Sequence, residues 1–290
     1  MSKYYKTESI KIASTGREIK LLIIKPIKNA KEKEKTPGIL WIHGGGYITG
    51  MAKMIYMSRA IDLVKKYGAV VVTPEYRLAN EAPYPAALED CYAALKYLKE
   101  NASELGVNSS QIMVGGESAG GGLTASLCMY ARDKGEVNIA YQMPLYPMID
   151  NLDTESSKDN HAPFWNTKRN HYGWRKYLGQ LWEQPENVPP YAAAARQTDY
   201  SNLPPAYTFV GDIEPFYCET LTFIENLKKA GVEAEVDVYP NCFHAFDILF
   251  PFKRISKIAI AKFEKKYLEA CERYYAKQPE IVLKGGSNNE

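Results

Sequence analysis

The stretch Gly115-Gly116-Glu117-Ser118-Ala119-Gly120-Gly121-Gly122 decides the fold of this 290-residue chain. The apolar run Gln111-Ile112-Met113-Val114 before it has the length of a strand. Leu123-Thr124-Ala125-Ser126-Leu127-Cys128-Met129-Tyr130 after it reads as a helix. Within the stretch, Gly-x-Ser-x-Gly puts Ser118 on the turn from strand to helix. Such a turn is sharp and strained, so its flanking positions must lack side chains, and the serine oxygen is pushed out above the sheet. The helix start behind Ser118 aims backbone N–H groups at any developing anion. The alternative for the same residues is a glycine-rich turn whose serine merely caps the helix.

Working outward, the chain alternates strand and helix. Ser9–Ile12 and Lys20–Ile24 are two leading strands joined by the turn Ser14-Thr15-Gly16-Arg17. The charged segment 28–35 reads as a solvated connector. Gly38–His43 is apolar on both faces, as a central strand should be, and ends in Gly44-Gly45-Gly46-Tyr47. Helix is expected over Met54–Tyr67, Ala86–Glu100, Phe216–Ala230 and about Pro251–Tyr275. Strands are expected over Ala69–Thr73, Asn138–Met143, Ala206–Val210 and Ala234–Tyr239. This pattern predicts an α/β fold: a mostly parallel sheet of about eight strands with helices on both faces. We expect one domain over residues 1–277, with an aromatic-rich helical lid inserted at about 150–201. Residues 278–290 read as a flexible tail.

Composition narrows the function. The chain is 46% hydrophobic and 24% charged, ordinary for a soluble globular protein, and its net charge of +2 offers nothing to nucleic acid or an anionic membrane. No charged-then-apolar leader opens the sequence, and no apolar run is long enough to span a bilayer. Five scattered cysteines (Cys91, Cys128, Cys218, Cys242, Cys271) form no Cys-x-x-Cys pair, which argues against a disulfide framework or zinc site and makes a cytoplasmic location the expectation. The 22 tyrosines suit either a half-wet cavity or a tyrosine-rich surface. Oligomeric state is left open, with a homo-oligomer as one option.

In open parallel sheets, sites form at the carboxyl ends of the strands. Four chemistry-bearing segments fall there: His43-Gly44-Gly45-Gly46, Ser118, Gly211-Asp212-Ile213-Glu214 and Asn241-Cys242-Phe243-His244. A serine hydroxyl needs a base within hydrogen-bond reach, and the base needs a carboxylate to hold its tautomer. The order serine, acid, histidine of this fold selects His244 among four histidines. His161 and His171 fall in the aromatic insertion. The acid is Asp212 or Glu214, and residue chemistry alone leaves both open. The glycines after His43 allow the close backbone approach of an oxyanion hole. Gly120-Gly121-Gly122-Leu123-Thr124-Ala125 formally matches a dinucleotide fingerprint, but it lies inside the post-serine helix and not at the first βα turn.

With these motifs the chain resembles the hormone-sensitive-lipase-like family of α/β-hydrolase carboxylesterases, which includes bacterial acetyl esterases. The resemblance covers roughly residues 36–250. It rests on His43-Gly44-Gly45-Gly46-Tyr47, Glu75-Tyr76-Arg77-Leu78-Ala79, Tyr84-Pro85-Ala86-Ala87-Leu88-Glu89-Asp90, Gly116-Glu117-Ser118-Ala119-Gly120-Gly121 and Leu203-Pro204-Pro205-Ala206. It implies Ser118 as nucleophile, His244 as base, and Gly45, Gly46 and Ala119 as oxyanion-hole donors. The family acid is usually an Asp before Pro; Glu214-Pro215 occupies that place and makes Glu214 the implied acid. Glu75 and Glu117 stand where relatives often carry Asp. Only 42 residues precede His43, which leaves little room for a longer helical cap. The implied reaction is hydrolysis of short-chain, above all acetyl, esters through an acyl-enzyme, without cofactor or metal. The rivals are an amidase or formamidase using the same triad, and a non-catalytic receptor of the same fold.

Overall fold

The computed structural model describes residues 2–27 and 35–280. Most of the connector read at 28–35 and most of the tail read at 278–290 therefore lie outside the described residues. Gln278, however, is tied down: its side-chain amide donates to the Asn138 carbonyl at 2.7 Å and the Ser109 carbonyl at 2.9 Å.

Eight strands form one sheet: β1 (Tyr5–Ser14), β2 (Arg17–Pro26), β3 (Thr36–Ile42), β4 (Val70–Pro74), β5 (Val107–Glu117), β6 (Tyr141–Leu145), β7 (Ala206–Gly211) and β8 (Ala234–Tyr239). Their spatial order is β1-β2-β4-β3-β5-β6-β7-β8. β1 and β2 form an antiparallel hairpin, β2 runs antiparallel to β4, and every later pair is parallel. The eight-stranded, mostly parallel sheet expected from the sequence is thus present. The helices are α1 (Arg59–Tyr67), α2 (Ala86–Glu100), α3 (Ala102–Leu105), α4 (Ala119–Lys134), α5 (Thr167–Leu178), α6 (Tyr217–Lys229), α7 (Phe246–Leu249) and α8 (Arg254–Arg273). Among the described residues, no helix is long and apolar enough to cross a membrane.

Successive strand residues point to opposite faces, so a strand covered on both sides must be apolar throughout. β3 shows this directly. Leu40 and Ile42 join one core with Leu95 of α2, Leu127 of α4 and Phe223 of α6. Ile39 and Trp41 join the other, with Leu63 of α1 and Phe263 of α8.

Two helices start later than periodicity alone suggested. Ala52–Met57 is a 3₁₀ turn, and Ser58, extended at φ −82° and ψ 170°, accepts the Ala60 N–H to cap α1. The C-terminal helix begins at Arg254, and the one-turn α7 before it was not foreseen. Residues 150–201 are more than a cover. Trp174 and Tyr177 are buried, and Tyr177 stacks on Tyr47 at 4.0 Å. The Tyr84 N–H donates to the Tyr177 carbonyl at 2.7 Å, so α5 is stitched to the body of the sheet. Several of the many tyrosines, including Tyr47, Tyr146, Tyr207 and Tyr267, are core residues.

What positions the site is the register of β3 against β5, in which Ile42 faces Gly116. A Cβ on Gly116 would lie 2.5 Å from the Ile42 carbonyl oxygen, and one on Gly120 only 2.0 Å from it and 2.6 Å from that of His43. Both obstacles are backbone and cannot yield. Gly135, the left-handed cap of α4 at φ +64°, has nothing within 4 Å of its Cβ position. Gly120→Ala should therefore destabilise at or beyond the upper end of the ~1–3 kcal/mol of overpacking. Gly135→Ala should cost about 1 kcal/mol of left-handed strain. Urea unfolding compares them; equal losses would refute the close approach.

Candidate active site

β5 delivers Ser118 to the top of the sheet, and the backbone there is strained. Ser118 has φ 59° and ψ −122°, a region costing on the order of 1–3 kcal/mol for a residue with a side chain. The surroundings hold it. The Ser118 N–H donates to the Leu145 carbonyl at 3.0 Å, and the Ser118 carbonyl accepts from Gly122 at 2.9 Å and Met148 at 3.1 Å. Ala119 is the first residue of α4, so its N–H has no partner inside the helix and points toward the strand ends.

His244 arrives from the loop after β8. Its Nε2 lies 2.8 Å from Ser118 Oγ, and its Nδ1 is hydrogen-bonded to Glu214 Oε2. The other Glu214 oxygen accepts the Gly211 N–H at 3.0 Å, which folds the carboxylate back against the end of its own strand. Glu214 is fully buried, while Ser118 and His244 are 7% and 6% exposed. Of the two candidate acids, the structure sets Glu214 against His244. Asp212 is exposed and accepts the Asn241 N–H at 2.7 Å, bracing the loop that leads to His244. Gly211 permits this closeness, since a Cβ there would lie 2.0 Å from the Cys242 carbonyl oxygen. The sequence placed Gly211 in a strand-end segment without showing this close approach.

The loop after β3 brings Gly44, Gly45 and Gly46 beside the turn. A Cβ on Gly44 would meet the Glu117 carbonyl oxygen at 2.8 Å, and one on Gly46 the Trp165 ring at 2.2 Å. Gly45 and Gly46 have φ of +119° and +60°. His43 itself faces inward. Its Nδ1 engages the Gly44 carbonyl at 2.8 Å, its ring stacks on Tyr76 at 4.2 Å, and burial lowers its pKa, which keeps the ring neutral.

Ser118, His244 and the glycine loop line one cavity of about 240 Å³. Its remaining walls are chiefly Met54, Ile55, Met57, Phe164, Trp165 and Leu249, with Ile248 and Tyr146. Sequence reading gave the polar members but not this apolar shell. Phe164 and Trp165 come from the aromatic insertion, whereas its two histidines stay outside the cavity lining. His161 is exposed, and His171 pairs with Asp153 at 2.8 Å. Among the described residues, no cluster of acidic, histidine or cysteine side chains could hold a metal ion.

Comparison with known proteins agrees with this fold. A family model described as the alpha/beta hydrolase fold matches residues 39–248. Esterase LipI of Mycobacterium tuberculosis is 31% identical over 217 residues, covering 74% of this chain and 67% of its own length. Carboxylesterase NlhH of the same species is 32% identical over the same shares. Among solved structures, a bacterial heroin esterase superposes with a TM-score of 0.86 at 32% identity, over 93% of this chain and 85% of its own. An esterase of the archaeon Pyrobaculum calidifontis gives 0.81 at 30% identity, over 91% and 84%. The chain belongs to the α/β-hydrolase family, in the hormone-sensitive-lipase-like group that its motifs indicated.

Proposed function

We propose that the protein is a serine carboxylesterase acting on small esters with short acyl chains, acetyl among them. The observation that carries this reading is the continuous hydrogen-bonded chain from Ser118 Oγ through both nitrogens of His244 to Glu214, beside backbone N–H donors. The names of the relatives, esterase and carboxylesterase, support the bond class.

In this mechanism Ser118 Oγ attacks the ester carbonyl while His244 Nε2 takes its proton. Negative charge builds on the carbonyl oxygen, and the N–H groups of Gly45, Gly46 and Ala119 stabilise it. Their positions are fixed before reaction, so no reorganisation is needed as the charge appears. Glu214 holds His244 with Nε2 toward the serine and stabilises the imidazolium. His244 then returns the proton to the leaving alcohol oxygen. Water repeats the sequence on the acyl-enzyme and frees Ser118.

The cavity supports a small substrate, because about 240 Å³ is below the ~300–1,000 Å³ of sites for drug-sized ligands. Its apolar walls favour an uncharged acyl group. The five cysteines all stand as free thiols, in keeping with a reducing cytoplasm.

Ser118→Ala should lower kcat on p-nitrophenyl acetate by about 10⁴-fold or more, and Glu214→Ala by about 10³–10⁴-fold. Asp212→Ala should stay within a few-fold. If wild type shows no Ser118-dependent hydrolysis, the esterase reading is wrong; if Asp212→Ala is the crippled variant, the acid is misassigned. Across p-nitrophenyl esters, kcat/KM should peak between acetyl and butyryl and fall about tenfold by octanoyl, as chains outgrow the cavity. A maximum at octanoyl or longer would overturn the acyl preference.

A further inference from the structure

The proposed mechanism leaves one buried acid beside the nucleophile without a task. Glu117 immediately precedes Ser118, is 5% exposed and lines the same cavity. Both of its oxygens are accepting: the Trp41 indole Nε1–H donates to Oε2 at 2.7 Å, and the Arg59 backbone N–H donates to Oε1 at 3.2 Å. Trp41 can reach it because Gly115 has no side chain, a Cβ there falling 2.4 Å from the indole ring. Arg59 opens α1, so its N–H is one of the helix's orphan donors, at the positive end of the dipole. The Arg59 guanidinium turns the other way, with Nε 3.2 Å from the buried carboxylate of Asp247 in α7, just past His244. A buried line from Trp41 through Glu117 and Arg59 to Asp247 therefore joins β3, the serine turn, α1 and the helix that follows the histidine.

We infer that Glu117 is a positioning residue for Ser118, its carboxylate gripped by Trp41 and the start of α1 so that the strained turn is clamped in place. This rests on Ser118 being the nucleophile. The clamp needs the ionised form, because a protonated carboxyl sets an O–H against one of two N–H donors and loses that bond. Burial pushes the Glu117 carboxyl up to about 7, against the pull of Trp41 and the Arg59 N–H. Asp247 pushes it the same way as burial, and the Arg59 guanidinium opposes. The charged or titratable groups packed around this line are Arg59 and Asp62 from α1, Asp247 from α7, Tyr146 after β6, and His244 at the cavity. The clamp is complete above about pH 7 and is lost as the pH falls through that value. Activity therefore carries the Glu117 ionisation on its acid side.

In wild type, kcat/KM for p-nitrophenyl acetate should show an acid-limb inflection near pH 7 that reports Glu117. Glu117→Gln cannot titrate and satisfies only one donor. That inflection should be missing from its profile, with kcat reduced roughly tenfold at high pH and KM little changed. The same acid limb in both proteins, or wild-type kcat in Glu117→Gln, overturns the inference. Trp41→Phe removes a donor that holds the Glu117 carboxyl down, so its acid limb should move to higher pH; an unmoved limb also overturns it. The Trp41 indole N–H resonance, identified by its loss in Trp41→Phe, should titrate near pH 7 in wild type and stay fixed in Glu117→Gln. A flat signal in wild type sinks the clamp whatever the protein hydrolyses. An intact titration without Ser118-dependent hydrolysis sinks the esterase reading alone.

Discussion

The close approach of the serine turn to the end of β3 is the constraint on which the rest of the structure depends. Gly116 and Gly120 lie so near the Ile42 carbonyl that neither position has room for a methyl group. Between them Ser118 takes a left-handed backbone that a side chain disfavours, held by hydrogen bonds to Leu145, Gly122 and Met148. This packing sets three things together. It turns the Ser118 oxygen outward, starts α4 at Ala119, and brings the glycine loop after His43 alongside. Strain at such a turn persists only where its surroundings over-determine it. Here β3, β6 and the loop after β6 all contribute.

Around that turn, two buried glutamates have contrasting partners. Glu214 accepts one backbone N–H and faces an imidazole, so its charge is directed at His244. Glu117 accepts an indole N–H and a helix-start N–H, so its charge is directed at structure. Identical side chains thus take different tasks through what surrounds them, in a cavity whose other walls are mainly apolar. Apolar neighbours such as Ile55 and Trp165 lower the local dielectric, which strengthens the charge interactions beside them.

The insertion between β6 and β7 serves both packing and the cavity. Trp174 and Tyr177 bury against Tyr47 and anchor α5. Phe164 and Trp165, only a few residues earlier, reach the cavity, with Trp165 lying against Gly46. Trp165 leans over the glycine loop, while Phe164 packs against Phe243 and Phe250. A composition rich in aromatics could announce the segment but not divide its residues between the two tasks.

Local sequence determined most of the framework. Alternating apolar strands and amphipathic helices specified the eight-stranded sheet, because burial on both faces demands that pattern wherever it occurs in the chain. Gly-x-Ser-x-Gly and the glycines after His43 marked two of the strand ends, since backbone crowding excludes other residues there. Chain order pointed to His244. Residue chemistry left Asp212 and Glu214 open and the resemblance implied Glu214; what needed the folded chain is their surroundings, because they sit two residues apart on one turn and the approach of the β8 loop leaves one exposed and the other buried against His244. The same holds for the close approach of Gly211 to Cys242, for the short α7 and for the line from Trp41 to Asp247. Each is created by contacts between segments far apart in sequence, and neither spacing nor periodicity records those contacts.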